Sequence, residues 1–233
     1  MKIKLILIAR NELKNILLIH ETMASVCAAY NIDWIYIDGN STDGTVEYFK
    51  IKNIPYLNQI YPGRGGAIRS AFDLIDADSF IIFSPDGNEN IMDLPKFIEG
   101  LNSGADLVIA SRMMFGAFNE EDLRLIKLRK WANNAFNFLA NFFFNRGAYI
   151  TDSINGFRAI THNALKVISI SSFDYTIEYQ MTIRAMRNNL NIIEFPTIEG
   201  QRIFGKTGAP SIHTGLLFLK LFFTELRLKF NKI

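Results

Sequence analysis

Apolar and polar positions alternate over short stretches early in the chain and recur at helical spacing between them. Residues 3–8 and 34–37 are short β-branched or aromatic runs, and residues 13–29 carry apolar side chains at helical period. This predicts a βαβ opening. A third strand is expected near 56–60, followed by a glycine cluster, a helix over 67–75 and the strongly apolar strand 80–83. A helix over 94–101 then precedes a strand at 107–110. Strands alternating with helices predict a mainly parallel sheet covered on both faces, with ligands held beyond the carboxyl ends of the strands. The polar clusters of the sequence fall at those ends.

Beyond Arg112 the pattern becomes a long aromatic helix, residues 123–145, in which Trp131, Ala135, Phe138 and Phe142 recur at spacings of four, three and four. Such a stripe needs a cover. Packing on the sheet is the expected one, and a lipid surface is the alternative. A helix over 176–188 and a strand over 191–197 follow. The last segment, 216–230, sets Leu216, Leu219, Phe223, Leu226 and Phe230 at alternating spacings of three and four, with Lys220, Arg227, Lys229 and Lys232 interspersed. This basic amphipathic helix suits docking on the core and the headgroup boundary of a membrane equally. The expected organisation is one α/β domain over residues 1–211 and a terminal amphipathic helix over 212–233.

Composition narrows the function classes. At 233 residues, 49% hydrophobic and 21% charged, the chain has ample material for one buried core. Its 25 basic and 23 acidic residues leave a net charge of +2, too balanced for a dedicated nucleic-acid binder. Cys27 is the single cysteine, which rules out an intrachain disulfide and a thiolate metal cluster. The first eight residues read as a strand, without the length or cleavage site of a secretory signal. No stretch reaches the ~20 apolar residues of a bilayer span; the nearest candidates are broken by Lys220 and by Asn137 and Asn141. A cytoplasmic protein, with peripheral contact to the cytoplasmic membrane face as an option, is the expectation.

Candidate chemistry lies in the strand-end loops. ARNE, residues 9–12, follows the first strand, and DGNSTDGT, residues 38–45, follows the second. Asp38 suits the N–H groups of a base and Glu12 a ribose hydroxyl, because carboxylates accept hydrogen bonds only. Asp43 and Gly44 read better as a turn and a helix N-cap. GRGG, residues 63–66, lets backbone approach a ligand and lets Arg64 face its base or phosphates, but it has neither dinucleotide nor P-loop spacing. FSPDGN, residues 83–88, puts Asp86 and Asn88 two apart as hard oxygen ligands for a divalent ion on a diphosphate, with a tight turn as the bland reading. Arg112, Arg158 in DSINGFR, and Arg202 and Lys206 in QRIFGKTG spread cations over three loops that converge on phosphates or simply face solvent.

Taken as an ordered set, these segments resemble the inverting, family 2 type glycosyltransferases of the GT-A fold, and among them the dolichol-phosphate mannose synthase-like group. ARNE is similar to a P-x-Y-N-E turn, DGNSTDGT to a D-D-G-S-T-D-G-T loop, GRGGAI to G-K-G-G-A, SPD to a D-x-D strand end, ASR to G-S-R and DSINGFR to D-x-x-S-G-F-R. The resemblance covers residues 1–210. It implies a GT-A, Rossmann-like mixed sheet flanked by helices, a UDP- or GDP-sugar donor and Mg²⁺ or Mn²⁺. Donor contacts would come from the ARNE turn (Ala9, Asn11, Glu12), Asp38 and Gly65. Asp86 and Asn88 would serve metal and diphosphate, Arg112 and Arg202 phosphates, Arg129 the acceptor phosphate, and Asp152 and Glu178 the acceptor side. Two departures matter: Ser84 replaces the first aspartate of D-x-D, and Arg10 stands where an aromatic residue is common. A polyprenyl phosphate acceptor needs no general base, whereas a glycan or other hydroxyl needs one such as Asp152 or Glu178. Two rivals are a sugar-1-phosphate nucleotidyltransferase, whose Gly-rich signature after the first strand is missing here, and a noncatalytic nucleotide-sugar or lipid-binding module, which Ser84 motivates.

Overall fold

Strand residues of alternating parity face two separate cores, which is the reason both sides of the sheet carry helices. The computed structural model describes residues 1–119, 121–122, 127–205 and 211–230. Its strands are β1 (Ile3–Ala9), β2 (Asp33–Asp38), β3 (Tyr56–Asn58), β4 (Ser79–Phe83), β5 (Leu107–Ser111), β6 (Arg158–Thr161) and β7 (Ile192–Pro196). They form one sheet in the order β3-β2-β1-β4-β6-β5-β7, parallel except for β6, which runs antiparallel to both neighbours. Ile6, Phe80 and Ile82 enter one core; Leu5, Leu7, Ile81 and Phe83 enter the other. The first core is covered by α3 (Gly63–Leu74), α5 (Leu128–Phe144), α6 (His162–Ile168), α7 (Ile177–Arg187) and α8 (Ser211–Phe230), the second by α1 (Leu13–Ala29), α2 (Thr45–Ile51) and α4 (Leu94–Asn102). This is the helix-flanked mixed sheet that the resemblance implies.

The chain runs outward from β1 to β2 and β3, then returns to place β4 on the other side of β1. That reversal opens a crevice at the carboxyl ends of β1 and β4, the usual ligand position in such sheets. Strand β6 was not expected. Its four residues are too few to show a period, and only pairing with β4 and β5 makes Arg158–Thr161 a strand.

The two amphipathic helices turn differently from expectation. On α5 it is Asn137, Ala140, Asn141 and Phe144 that are buried. The expected core stripe faces outward: Trp131 is 58% exposed, Phe138 57% and Phe142 70%. Buried asparagine is tolerated because Asn137 and Asn141 bond the backbone of residues 150, 151 and 153. The early part of that predicted helix, 123–126, lies outside the described residues. Helix α8 docks through Phe218, Phe222 and Glu225, the last bound by Arg184 and Arg187 at 2.7 and 2.8 Å. Its predicted apolar stripe, Leu216, Leu219, Phe223 and Phe230, points away from the core, and Leu226 is partly buried.

Candidate active site

The two loops after β1 and β2 are tied into one wall. Asn11, held at φ 57°, donates its N–H to Ser41 Oγ at 2.9 Å and accepts from Thr42 N–H at 2.7 Å. Asp43 bonds the N–H groups of both Thr45 and Leu13, so it anchors the starts of two helices, as the turn and N-cap reading expects. Asp38 is 1% exposed; Oδ2 accepts from Ser41 N–H at 3.0 Å, and Oδ1 is buried without a partner. A buried acceptor left in that state is costly. Ala9, Asn11 and Glu12 line a cleft of about 1120 Å³ that runs on past Ser84, Asp86, Asn88 and Arg112. Asp38 itself is not among the residues lining the cleft, whereas its neighbour Gly39 is.

Arg202 closes over this wall. Its guanidinium reaches Glu12 Oε1 at 2.9 Å and Asp86 Oδ2 at 2.8 Å, bridging the β1 and β4 loops. Burial pushes the Glu12 carboxyl above its ordinary value, against the pull of Asn15 and Arg202. The segment carrying Arg202 is fixed in place by Gly200 N–H on Asn88 O, Ile203 N–H on Asp86 O, and Phe204 N–H on Asn15 Oδ1. Gly87, at φ 83°, lies so close under Ile203 that a Cβ there would come within 2.5 Å of it. Lys206 lies outside the described residues.

The cleft floor is a set of ion pairs. Arg112 binds Asp152 through two guanidinium nitrogens, at 2.7 and 3.0 Å, and Glu199 at 3.2 Å. Burial opposes its charge, but the two carboxylates raise its pKa and keep it cationic. Asp152 is fully buried; burial raises its carboxyl, and Arg112 more than reverses this, leaving it below its ordinary value. Both Asp152 oxygens are occupied, by Arg112 and by the Asn155 N–H, so it stands behind Arg112 and not in the cleft lining. Glu178 does line the cleft, paired with Arg64 at 2.9 Å. Arg129 lines it at the far end, near Leu128, Phe136 and Phe218.

Two expected ligand contacts are placed elsewhere. Arg158 is fully buried and donates to the carbonyls of Ser153, Asn155 and Glu178 and to Thr182 Oγ1; burial brings its pKa down to about 10. It braces β6 against α7 and is not among the residues that line the cleft. Gly65 packs against the backbone of Ser172 and Phe173, where a Cβ would approach to 2.8 Å, so its lack of a side chain serves helix packing rather than the cleft.

Residues 5–168 match the model of glycosyl transferase family 2. The chain belongs to this family. Among relatives of this family 2 glycosyltransferase, Glycosyltransferase AglJ of Haloferax volcanii is 28% identical over 212 residues, 87% of this chain and 67% of the relative. Polyprenol monophosphomannose synthase of Mycolicibacterium smegmatis is 26% identical, over 84% of this chain and 76% of its own. A UDP-N-acetylglucosamine–dolichyl-phosphate N-acetylglucosaminyltransferase of Methanococcus voltae is 30% identical over 73% of this chain and 67% of its length. In architecture, the glucosyl-3-phosphoglycerate synthase of Mycobacterium tuberculosis, solved with Mn²⁺, uridine diphosphate and phosphoglyceric acid, superposes with a TM-score of 0.74 over 97% of this chain and 78% of that one, at 17% identity. The fold is therefore GT-A.

Sequence reasoning missed three cleft groups of this glycosyltransferase. Glu199 joins Arg112 to Asn88, whose side-chain N–H it accepts at 3.0 Å. Glu89 folds back onto Ser84 N–H at 2.7 Å; burial first, then Asp86, drives its carboxyl well above the ordinary value. Gln59 follows β3. Glu199 and Gln59 carry no local signal, since they reach the cleft only through strand order, whereas Glu89 is brought in by the turn that follows β4. Among the described residues no three His, Cys, Asp or Glu side chains gather as a metal cluster. Asn88 Oδ1, however, is buried without a partner among the described residues, and the Asn88 backbone N–H bonds the Asp86 carboxylate, whose Oδ2 is held by Arg202. This oxygen pair fits a divalent ion that keeps part of its water.

Proposed function

We propose that this family 2 glycosyltransferase transfers a sugar, with inversion and divalent-metal dependence, from a nucleoside diphosphate sugar to a polyprenyl phosphate at a membrane surface. The observation that carries the reading is the course of the cleft. Its lining takes in Ala9, Glu12 and Gly39 after β1 and β2, Asp86 and Arg112 after β4 and β5, and Leu128, Arg129, Thr214 and Phe218 from α5 and α8. On the same two helices, the rings of Phe138, Phe142, Phe143, Phe222 and Phe223 contact one another in series, running from the buried Phe222 to the exposed Phe138, Phe142 and Phe223. Trp131, Leu216 and Phe230 extend this apolar surface, and Lys220 and Arg227 are exposed on the same helix α8. An apolar face with cations suits an anionic headgroup layer.

In this reading Asp38 and Glu12 hold the nucleoside, Arg202 swings from Glu12 and Asp86 to the diphosphate, and Arg112, fixed by Asp152, presents its charge to the leaving group. Asp86 and Asn88 would hold the metal, which when bound would supply charge neutralisation for the departing diphosphate. The acceptor phosphate oxygen bonds the anomeric carbon as the carbon–oxygen bond to the diphosphate breaks on the opposite face. No proton needs removal. The state of the two carboxylates considered as bases supports this acceptor: Asp152 is sealed by Arg112 and Glu178 is paired with Arg64. A hydroxyl acceptor would need one of them free.

The test is a transfer assay by mass spectrometry, pairing UDP- and GDP-sugars with a short polyprenyl phosphate or with sugar hydroxyl acceptors, in Mn²⁺ or in chelator. Metal-dependent formation of a polyprenyl phosphosugar of inverted configuration is expected. Turnover confined to hydroxyl acceptors would overturn the assignment.

A further inference from the structure

The aspartate missing at Ser84 leaves the strand end short of one carboxylate, yet a carboxylate stands there. Glu89 turns its side chain back across the 84–88 turn, and Oε2 accepts from the Ser84 N–H at 2.7 Å. Glu89 lines the cleft with Ser84, Asp86 and Asn88. Its other oxygen has no hydrogen-bond partner among the described residues, and the side chain has no ion pair there. Arg64 is close enough for its charge to act on Glu89, but its hydrogen bonds go to Glu178 at 2.9 Å and the Ser84 hydroxyl at 3.2 Å. A Cβ at Gly156 would lie 3.5 Å from Glu89 Oε1 and 2.6 Å from Arg64 Nη2, so the bare glycine makes room for the Arg64 guanidinium near this carboxylate. Glu89 is half-buried, and a carboxylate that lines the cleft beside Asp86 with a single hydrogen bond is in a position to take a cation. The buried, unpartnered Asn88 Oδ1 marks the same turn as lacking a ligand.

We propose that Glu89 provides the carboxylate that Ser84 does not, acting with Asp86 and Asn88 as the third protein ligand of the divalent cation that grips the donor diphosphate. The inference rests on the metal-dependent reading above and adds to it the residue that makes the altered motif workable. A purely structural role, capping Ser84 N–H, predicts something different, because a glutamine caps that N–H equally well through its amide oxygen.

Mn²⁺ binding is measured directly, from loss of the free-ion paramagnetic resonance signal, in separate titrations with uridine diphosphate and guanosine diphosphate. Glu89→Gln is expected to weaken Mn²⁺ binding by about tenfold or more, with an unchanged urea midpoint. Adding Ser84→Asp to Glu89→Gln restores the affinity, because the charge returns to the same place by another route. Ser84→Asp alone changes affinity little, since the position is already served. Unchanged Mn²⁺ affinity in Glu89→Gln, or no recovery in the double variant, overturns the proposal while leaving metal dependence intact. A tenfold gain from Ser84→Asp alone overturns it as well, and that variant keeps the test open should Glu89→Gln fold poorly. If the wild-type protein binds no Mn²⁺ with either nucleotide, the metal reading itself fails.

Discussion

Asp86 carries the greatest weight per atom, because its carboxylate stands at the end of the buried strand β4 and holds whatever cation is present. Asp86→Ala should lower kcat/KM by about 10²- to 10³-fold, the usual cost of removing one preorganised electrostatic partner of a leaving group, with circular dichroism unchanged. Arg202 acts on the same carboxylate from the opposite direction. In Arg202→Ala, Mn²⁺ binding without nucleotide should tighten, as a competing cation is gone, while transfer slows; weaker Mn²⁺ binding would contradict the bridge to Asp86. Asp152 has a separable structural role. Removing one partner of a buried pair strands the other charge, so Asp152→Asn should cost about 3 kcal/mol at neutral pH. The Asp152 carboxyl titrates below its ordinary 3.8 in the fold. Its stabilisation is therefore complete above 3.8 and is lost as pH falls through the lower folded value. Urea unfolding at pH 7 and near pH 3 should show the gap between wild type and Asp152→Asn shrinking in acid.

Helices α5 and α8 decide how the cleft meets its surroundings. On α5 the face that packs is built on Asn137, Ala140, Asn141 and Phe144, with Phe136 and Phe143 beside it, although two of its residues are polar. Helical periodicity was legible in both; which face turned inward was not, because the asparagines enter the core only when residues 150–153 supply their hydrogen bonds. The outward rings lead to a prediction at this scale. Vesicles containing anionic lipid should bind the protein and shift the emission of Trp131 to shorter wavelength, whereas neutral vesicles bind less. Phe138→Asp with Phe142→Asp and Phe223→Asp should abolish flotation without changing the urea midpoint, since all three side chains are more than half exposed. Retained flotation would detach this face from the membrane. Among the described residues no helix is long and apolar enough to cross a bilayer.

For the molecule as a whole, α8 is part of the core as well as of the outer face. Phe218 and Phe222 are nearly fully buried against α5 and α7, and Glu225 neutralises Arg184 and Arg187. Burying a large apolar side chain contributes about 1.5–3 kcal/mol, so deleting residues 211–233 should cost several kcal/mol from the two rings alone and further leave two arginines unpaired. A lower thermal midpoint, with loss of activity even on a water-soluble acceptor, is the expected result. Point substitutions on the outward face are accordingly the cleaner probe of membrane contact than truncation.

The local alternation of the strands, the glycine and aspartate turns, and the order of the motifs lie within short windows of sequence, and these alone determined the α/β class, the family and the carboxyl-end position of Asp38, Asp86 and Arg112. The antiparallel insertion of β6 and the inward faces of α5 and α8 depended on partners far away in the chain. So did the burial of Arg158, the pairing of Asp152 with Arg112, and the arrival of Glu199 in the cleft. Periodicity reports which residues share a face, but only the competition among all faces for a limited interior, and among buried polar groups for partners, decides which face is covered and which charge is left to meet a ligand.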